Sequence, residues 1–400
     1  MMMSKLSQSI KAIEKYLIPA FLSVILLFSG IQAFAENAEA ADIAKQCSVE
    51  VSTNKGKRSA MFSKDYKSYW EGKDHGTIHV KVKKGTSQGI QISFYGDAPE
   101  ICVTDKNGNI IAEKNTGYRT EYIPFFSPCS DFTVSAAGDG VLKISSLKIL
   151  SEGTLPGWVQ RWETLEPGTA ELMLVSAHPD DELLWFGGML PYYAGENGRR
   201  VIVVYMAACG YAYRVSELLD GLWHCGVKWY PELGTFPDKG ASSLASTQRN
   251  WGEGAAALRI TQLIRKYRPA VIVTHDINGE YGHFHHIETA NAVIASATRY
   301  ASDPGFDAGC GLEPWQVQKL YIHLLKENAI RMDWRTPLSA FNGETGLSVA
   351  RQAFKMHISQ QTGRYAVNDS GRMDCSLFGL YYSAVGEDIM KNDLFENIPD

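Results

Sequence analysis

Three short apolar runs constrain this chain more than any other feature. Leu172–Ser176, Val201–Tyr205 and Ala270–Thr274 are continuous rather than alternating. A strand with one wet face alternates apolar and polar residues, whereas an unbroken run suits a parallel strand covered on both faces. Between the runs, Arg214–Cys225 and Ala255–Tyr267 read as helices, the second apolar at Ala257, Leu258, Ile260, Leu263 and Ile264. Strand alternating with helix predicts an α/β domain with a doubly wound, mostly parallel sheet. In such sheets ligands collect beyond the carboxyl ends of the strands.

The preceding segment has a different texture. Thr77–Val82 and Ile90–Phe94 alternate strictly, Val103–Ile111 carries an Asn107-Gly108 hairpin signal, and Phe132–Val134 and Leu142–Ile149 continue the series. Many short strands without an amphipathic helix predict an all-β sandwich or jelly roll. The chain therefore divides into a smaller β-sandwich domain over residues 36–155 and an α/β domain over 156–400, with the junction in Trp158–Pro167.

Residues 1–35 read as a signal peptide. Lys5, Lys11 and Lys15 precede an apolar stretch from Tyr16 to Phe28, and Ala33-Phe34-Ala35 supplies a cleavage site. The protein is expected outside the cytoplasm, secreted or at the cell surface. It would meet a membrane only through this segment, and only if the segment is retained as an anchor. The formal charge is −5 with no concentrated basic face, which argues against nucleic acid as a partner. Export permits disulfides among the seven cysteines; Cys102–Cys129 and Cys310–Cys375 are pairings suggested by co-location alone, beside the equal expectation of free thiols.

The first apolar run ends in His178-Pro179-Asp180-Asp181-Glu182. Acids at a helix start are favoured by its dipole, but that explains neither the histidine nor the apolar residues on both sides. His178 and Asp181, three apart, can face one point on a tight turn and suit a zinc ion, which takes nitrogen and oxygen ligands in catalytic sites. After the third run come His275, His283, His285 and His286, four of the chain's ten histidines. Two such clusters beyond two parallel strand ends predict a hydrolytic metal site.

AHPDDE at the first strand end with GHFHH downstream resembles the PIG-L (LmbE-like) zinc-dependent de-N-acetylases. The resemblance runs from about Glu171 to Gly386. It includes an Arg-x-x-Glu helix, a Pro-Asp pair and a closing His-x-Ser-Gln at His357–Gln360. It implies a Rossmann-like catalytic domain, Zn2+ as cofactor, and removal of the acetyl group from an N-acetylglucosamine-containing substrate or glycan. Carried over residue by residue, it makes His178, Asp181 and His286 the metal ligands and Asp180 the general base. It gives His283 the oxyanion or the departing amine, and Arg214 and Asp238 the sugar. The β-domain, with Asp65–Trp70, more weakly resembles the discoidin-type sandwiches of exported relatives, where Tyr66, Tyr69 and Trp70 would serve as a sugar platform or as core.

The chain departs from the family in two places. His285 stands where many members carry the Asp that orients the first histidine of GHxDH, and Met206–Gly210 replaces a Thr-rich turn. His275 is read as structural or as a group behind the ligands. Two other readings stand beside the deacetylase: a non-catalytic glycan-binding protein, and a zinc hydrolase of another amide or ester. The sequence carries no sign of an oligomeric state.

Overall fold

The computed structural model describes residues 38–399 apart from 53–55, 64 and 74, so the predicted leader over residues 1–35 lies outside the described residues. The alternating segments form nine strands: β1 (Cys47–Val51), β2 (Trp70–Gly72), β3 (Ile78–Val82), β4 (Ser87–Phe94), β5 (Ile101–Asp105), β6 (Ile110–Lys114), β7 (Thr120–Cys129), β8 (Asp131–Ala136) and β9 (Leu142–Ser151). They pair antiparallel in two sheets, β1-β3-β8-β5-β6 and β2-β9-β4-β7. Ile78, Val80, Val103, Phe132 and Val134 of the first sheet share one core with Ile90, Ile92, Phe94, Ile123 and Ile144 of the second. The expected hairpin joins β5 to β6, with Gly108 at φ 84° and the Asp105 carboxylate accepting from the backbone N–H of Asn107 and Asn109. β7 was not foreseen because it contains Pro124 and Pro128. It lies at a sheet edge, where a residue without an N–H costs nothing.

Trp70 is fully buried, so it is core rather than a sugar platform. Tyr66 is buried too, and its hydroxyl donates to Asp220 Oδ2 of the other domain at 2.7 Å. Tyr69 stacks on Tyr95 with centroids 4.1 Å apart.

In the α/β domain, β10 (Leu172–Ser176), β11 (Val201–Tyr205), β12 (Val271–Thr274), β13 (Lys319–His323), β14 (Ala329–Arg331) and β15 (Leu377–Ser383) form one sheet in the order β11-β10-β12-β13-β15-β14. The first four in that order are parallel, and β15 pairs antiparallel with both β13 and β14. The helices are α1 (Asp181–Leu184), α2 (Ala212–His224), α3 (Leu244–Trp251), α4 (Ala255–Tyr267), the kinked α5 (Gly279–Gly282), α6 (Phe284–Ala295) and α7 (Gly346–Phe354). One sheet face, with Leu172, Leu174, Val201, Val203 and Val271, packs on Leu218 and Leu222 of α2 and Leu347 and Ala350 of α7. The other, with Met173, Val175, Ile202, Val204 and Ile272, packs on Ile260 and Ile264 of α4 and Val293 of α6. Burial on both faces is why the runs are unbroken.

β13 escapes a hydropathy reading because it opens on Lys319. That residue is fully buried, its ammonium paired with the Asp388 carboxylate, which also accepts from Tyr321 Oη at 2.5 Å. The suggested disulfides do not form, and all seven cysteines are free. Cys102 and Cys129 belong to different sheets, and Cys102 lies between the buried Ile101 and Val103, facing away from the core. Cys375 is instead packed against Gly187, where a Cβ would meet its sulfur at 2.3 Å. No helix among the described residues is long and apolar enough to cross a membrane.

Candidate active site

β10 and β12 lie side by side, so the loops leaving their carboxyl ends converge. The first loop is a strained turn: Asp180 sits at φ 108°, a region a non-glycine residue occupies only when its surroundings force it. Several bonds do so. The N–H of His178 donates to Asp181 Oδ2 at 2.8 Å, that of Asp180 to Glu182 Oε2 at 2.8 Å, and that of Ala177 to His275 Nε2 at 2.9 Å. Glu182 reaches back through Oε1 to His357 Nε2 at 2.9 Å, which ties the closing His-x-Ser-Gln motif to this turn. Burial alone would depress His357, but Glu182 holds it above its usual range.

The second loop is organised by Glu280, a residue the sequence reading passed over. It too has positive φ, 56°, at the kink in α5. Its Oε1 lies 3.0 Å from both His275 Nδ1 and His323 Nδ1, and its Oε2 lies 2.6 Å from His286 Nδ1. Burial works to lift this carboxyl, but His275 and His286 hold it well below the usual range. The only prior signal was an acid inside a histidine-rich loop; that His323, ending β13, would join it was not visible.

Three predicted ligands meet between the loops. Asp181 Oδ2 is 3.0 Å from His178 Nδ1 and 3.3 Å from His286 Nε2. The latter nitrogen is buried and makes no hydrogen bond among the described residues. Burial opposes charge on His286, yet Asp181 and Glu280 on either side raise it to about 10. Burial likewise opposes charge on Asp181, which His286 and His178 hold well below its ordinary value. The donor atoms close enough to share an ion fall into overlapping groups, among them His178, His283 and His286 in one and Asp181, His275 and His286 in another, with His286 in both. Buried nitrogen and oxygen donors beside a field that favours positive charge fit zinc. His275 Nε2 already accepts the N–H of Ala177, so His275 is structural, as expected.

The remaining predicted residues line the same centre. Arg214 Nη2 donates to the Pro179 carbonyl at 2.6 Å and lies 3.7 Å from Asp180 Oδ1, while its Nη1 is 3.6 Å from Asp238 Oδ2. Burial and the Asp181 charge push the Asp180 carboxyl up to about 8. Burial, with His178 and His286 nearby, depresses His283 to about 3. His283 Nδ1 accepts the N–H of His285 at 3.3 Å, so the neutral ring carries its proton on Nε2. The Met206–Gly210 wall contributes Cys209, whose thiol burial raises to about 12, the opposite of an activated nucleophile.

Beside the cluster, Trp185, Tyr281 and Tyr365 line a cavity of about 320 Å³. Trp185 Nε1 donates to Asp181 Oδ1 at 2.8 Å, and the Tyr281 ring lies 5.7 Å from those of His283 and His286. The exposed Arg364 and Arg372 also line this cavity.

Residues 173–297 match the PIG-L family, described as GlcNAc-PI de-N-acetylase. The 1D-myo-inositol 2-acetamido-2-deoxy-alpha-D-glucopyranoside deacetylase of Streptomyces scabiei is 32% identical over 198 residues, 43% of this chain and 59% of its own length. A protein of the same description from Frankia alni is 31% identical over 195 residues, 41% of this chain and 67% of its own length. The chain thus spans about three fifths to two thirds of the length of these curated relatives. Among solved structures, an N,N'-diacetylchitobiose deacetylase from Pyrococcus horikoshii aligns at TM-score 0.36 and 17% identity over 48% of this chain and 71% of that one, too slight a likeness to carry an argument.

Proposed function

The chain belongs to the PIG-L family, and on that premise we propose that it is an exported zinc-dependent hydrolase that removes the N-acetyl group from N-acetylglucosamine-containing glycans. The observation that carries this reading is the convergence of His178 Nδ1, Asp181 Oδ2 and the unbonded His286 Nε2, with Asp180 and His283 beside them. His178, Asp181 and His286 would hold the metal. When bound, zinc supplies Lewis-acid polarisation of the amide carbonyl, which an unreactive amide requires.

The chain's own residues carry the proton. Asp180 takes one from the attacking water as the new C–O bond forms; beside a bound zinc ion this carboxyl would stay ionised, the form a base requires, and once protonated it can return the proton. Arg214 orients Asp180 and, with Asp238, faces the sugar hydroxyls. His283, neutral at physiological pH with Nε2–H as its donor, hydrogen-bonds to the oxygen that gains charge. When the C–N bond breaks, Asp180 is the group with a proton to hand to the departing nitrogen. The cavity beside Trp185, Tyr281 and Tyr365 is of a size for a sugar ring. The Rossmann-like, doubly wound reading of the sheet fits this placement, as does a domain boundary near residues 155 and 156. The leader over residues 1–35 supports export, which amino-terminal sequencing of protein recovered outside the cells tests.

Acetate release tests the activity. Zinc-loaded protein is incubated with chitooligosaccharides, peptidoglycan fragments and small N-acetylglucosamine conjugates. Acetate from at least one, abolished by a chelator and restored by zinc, is expected. Binding of a glycan without acetate release would favour the non-catalytic reading; cleavage only of other amides or esters would favour the broader hydrolase.

A further inference from the structure

His285 has no assigned role, and it departs from the family pattern. It is buried, with its ring 4.9 Å from that of Trp251. Its Nε2 lies 3.3 Å from the carbonyl oxygen of Lys239, and its Nδ1 lies 2.9 Å from His178 Nε2. A carbonyl can only accept, so the His285 proton sits on Nε2 and its Nδ1 is a bare lone pair. For the bond between the two rings, His178 must then donate from its own Nε2. That leaves His178 Nδ1 deprotonated, and this is the nitrogen 3.0 Å from Asp181 Oδ2. We infer that His285 is a positioning residue: through the relay Lys239 carbonyl, His285, His178, it fixes His178 in the tautomer that offers Nδ1 to the metal.

The relay mirrors the other side of the cluster, where the Glu280 carboxylate accepts a hydrogen bond from His286 Nδ1–H and leaves Nε2 as the nitrogen facing the metal position. One ligand histidine is set by a carboxylate and the other by a second imidazole. The same atoms permit a rival arrangement, in which His178 Nε2, His285 Nδ1 and Asp238 Oδ1 bind a cation directly; Asp238 Oδ1 is 3.5 Å from the first and 3.9 Å from the second. In that case His285 is a ligand and no proton lies between the rings.

The inference rests on the proposed function, because it takes His178 as a metal ligand, and the experiment keeps the two apart. Zinc affinity is measured on the full chain by competition with a chromophoric chelator for wild type, H178A, H285L and H285N. Asparagine keeps an acceptor oxygen near the position of Nδ1, the atom that takes the His178 hydrogen bond; leucine keeps no acceptor. Expected are loss of tight zinc binding in H178A, a fall of about 10- to 100-fold in H285L, the usual effect of removing a group that orients a ligand, and recovery to within a few-fold in H285N. H285L binding zinc like wild type overturns the inference alone, whereas H178A doing so overturns the ligand assignment beneath it. H285N falling as far as H285L makes His285 a direct ligand and also overturns it. Nitrogen-15 shifts of the histidine rings in the unmodified, zinc-loaded chain need no variant. The expected result is a protonated Nε2 and a metal-bound Nδ1 on His178, and the reverse pattern refutes the relay.

Discussion

At the scale of single residues, one backbone angle turns two adjacent acids in different directions. Asp180, at φ 108°, is turned toward Arg214, while Asp181 is turned into the histidines. Asp180→Asn is therefore expected to keep its zinc and lose about a hundredfold or more in turnover, the scale of a lost base. Asp181→Asn is expected to lose zinc and regain part of its activity when zinc is added. Zinc content and acetate release, measured side by side, check the split; exchange of the two outcomes would reverse the roles. Glu280→Gln removes the charge that three histidines share, and zinc affinity should fall about 10- to 100-fold, read by chelator competition.

Elements are joined to the site by close packing. Just after α1 the chain passes Gly187 at φ 49°, with Cys375 against its Cα. Gly187→Ala adds both strain and a clash, and is expected to cost about 1–3 kcal/mol in denaturant unfolding. Cys375→Ala in the same chain opens the space and should recover part of that loss, but not the part due to positive φ. Full recovery would mean that backbone strain contributes nothing. Elements were legible to the degree that burial followed hydropathy. β10 and β11 came out at their observed ends, whereas β7 and β13 did not, because edge prolines and a paired buried lysine break the pattern.

At the scale of the whole molecule, none of the described residues of the sandwich lies in the histidine and carboxylate cluster, yet the sandwich is bound tightly to the domain that carries it. Tyr118 stacks on Tyr230 at 4.2 Å and belongs to the α/β core, and the N–H of Arg119 donates to Tyr230 Oη at 2.9 Å. Asp220 accepts from Tyr66 of the sandwich at 2.7 Å and from Gln160 at 2.5 Å. Burial raises the Asp220 carboxyl above its ordinary range, and the Tyr66 bond pulls it back. With the folded value raised, the folded chain holds more protons than the unfolded one just above the ordinary carboxylate range. Stability therefore declines as pH climbs through that window. Tyr66→Phe lifts the carboxyl further, so its penalty should be about 1 kcal/mol or more at pH 7 and smaller near pH 4. Urea unfolding at both pH values checks this; a penalty that grows in acid would contradict it.

Composition and order alone determined the class of both domains and most of the site. Unbroken runs mean strands buried twice, and a histidine with acids at the end of such a run has no hydrophobic reason to be there. His178, Asp181 and the four-histidine cluster after the third run were legible for that cause; the choice of His283 and His286 within that cluster came from the family resemblance. What only the tertiary structure decided is which nitrogen or oxygen faces which. Glu280 and His323 lie on separate elements, His357 lies far along the chain from Glu182, and His285 stands where a carboxylate was expected. Whether an imidazole donates or accepts depends on the one atom placed against each of its nitrogens. Those neighbours come from separate stretches of chain, around residues 177–182, 239, 275–286, 323 and 357, that only folding brings within about 3 Å of one another.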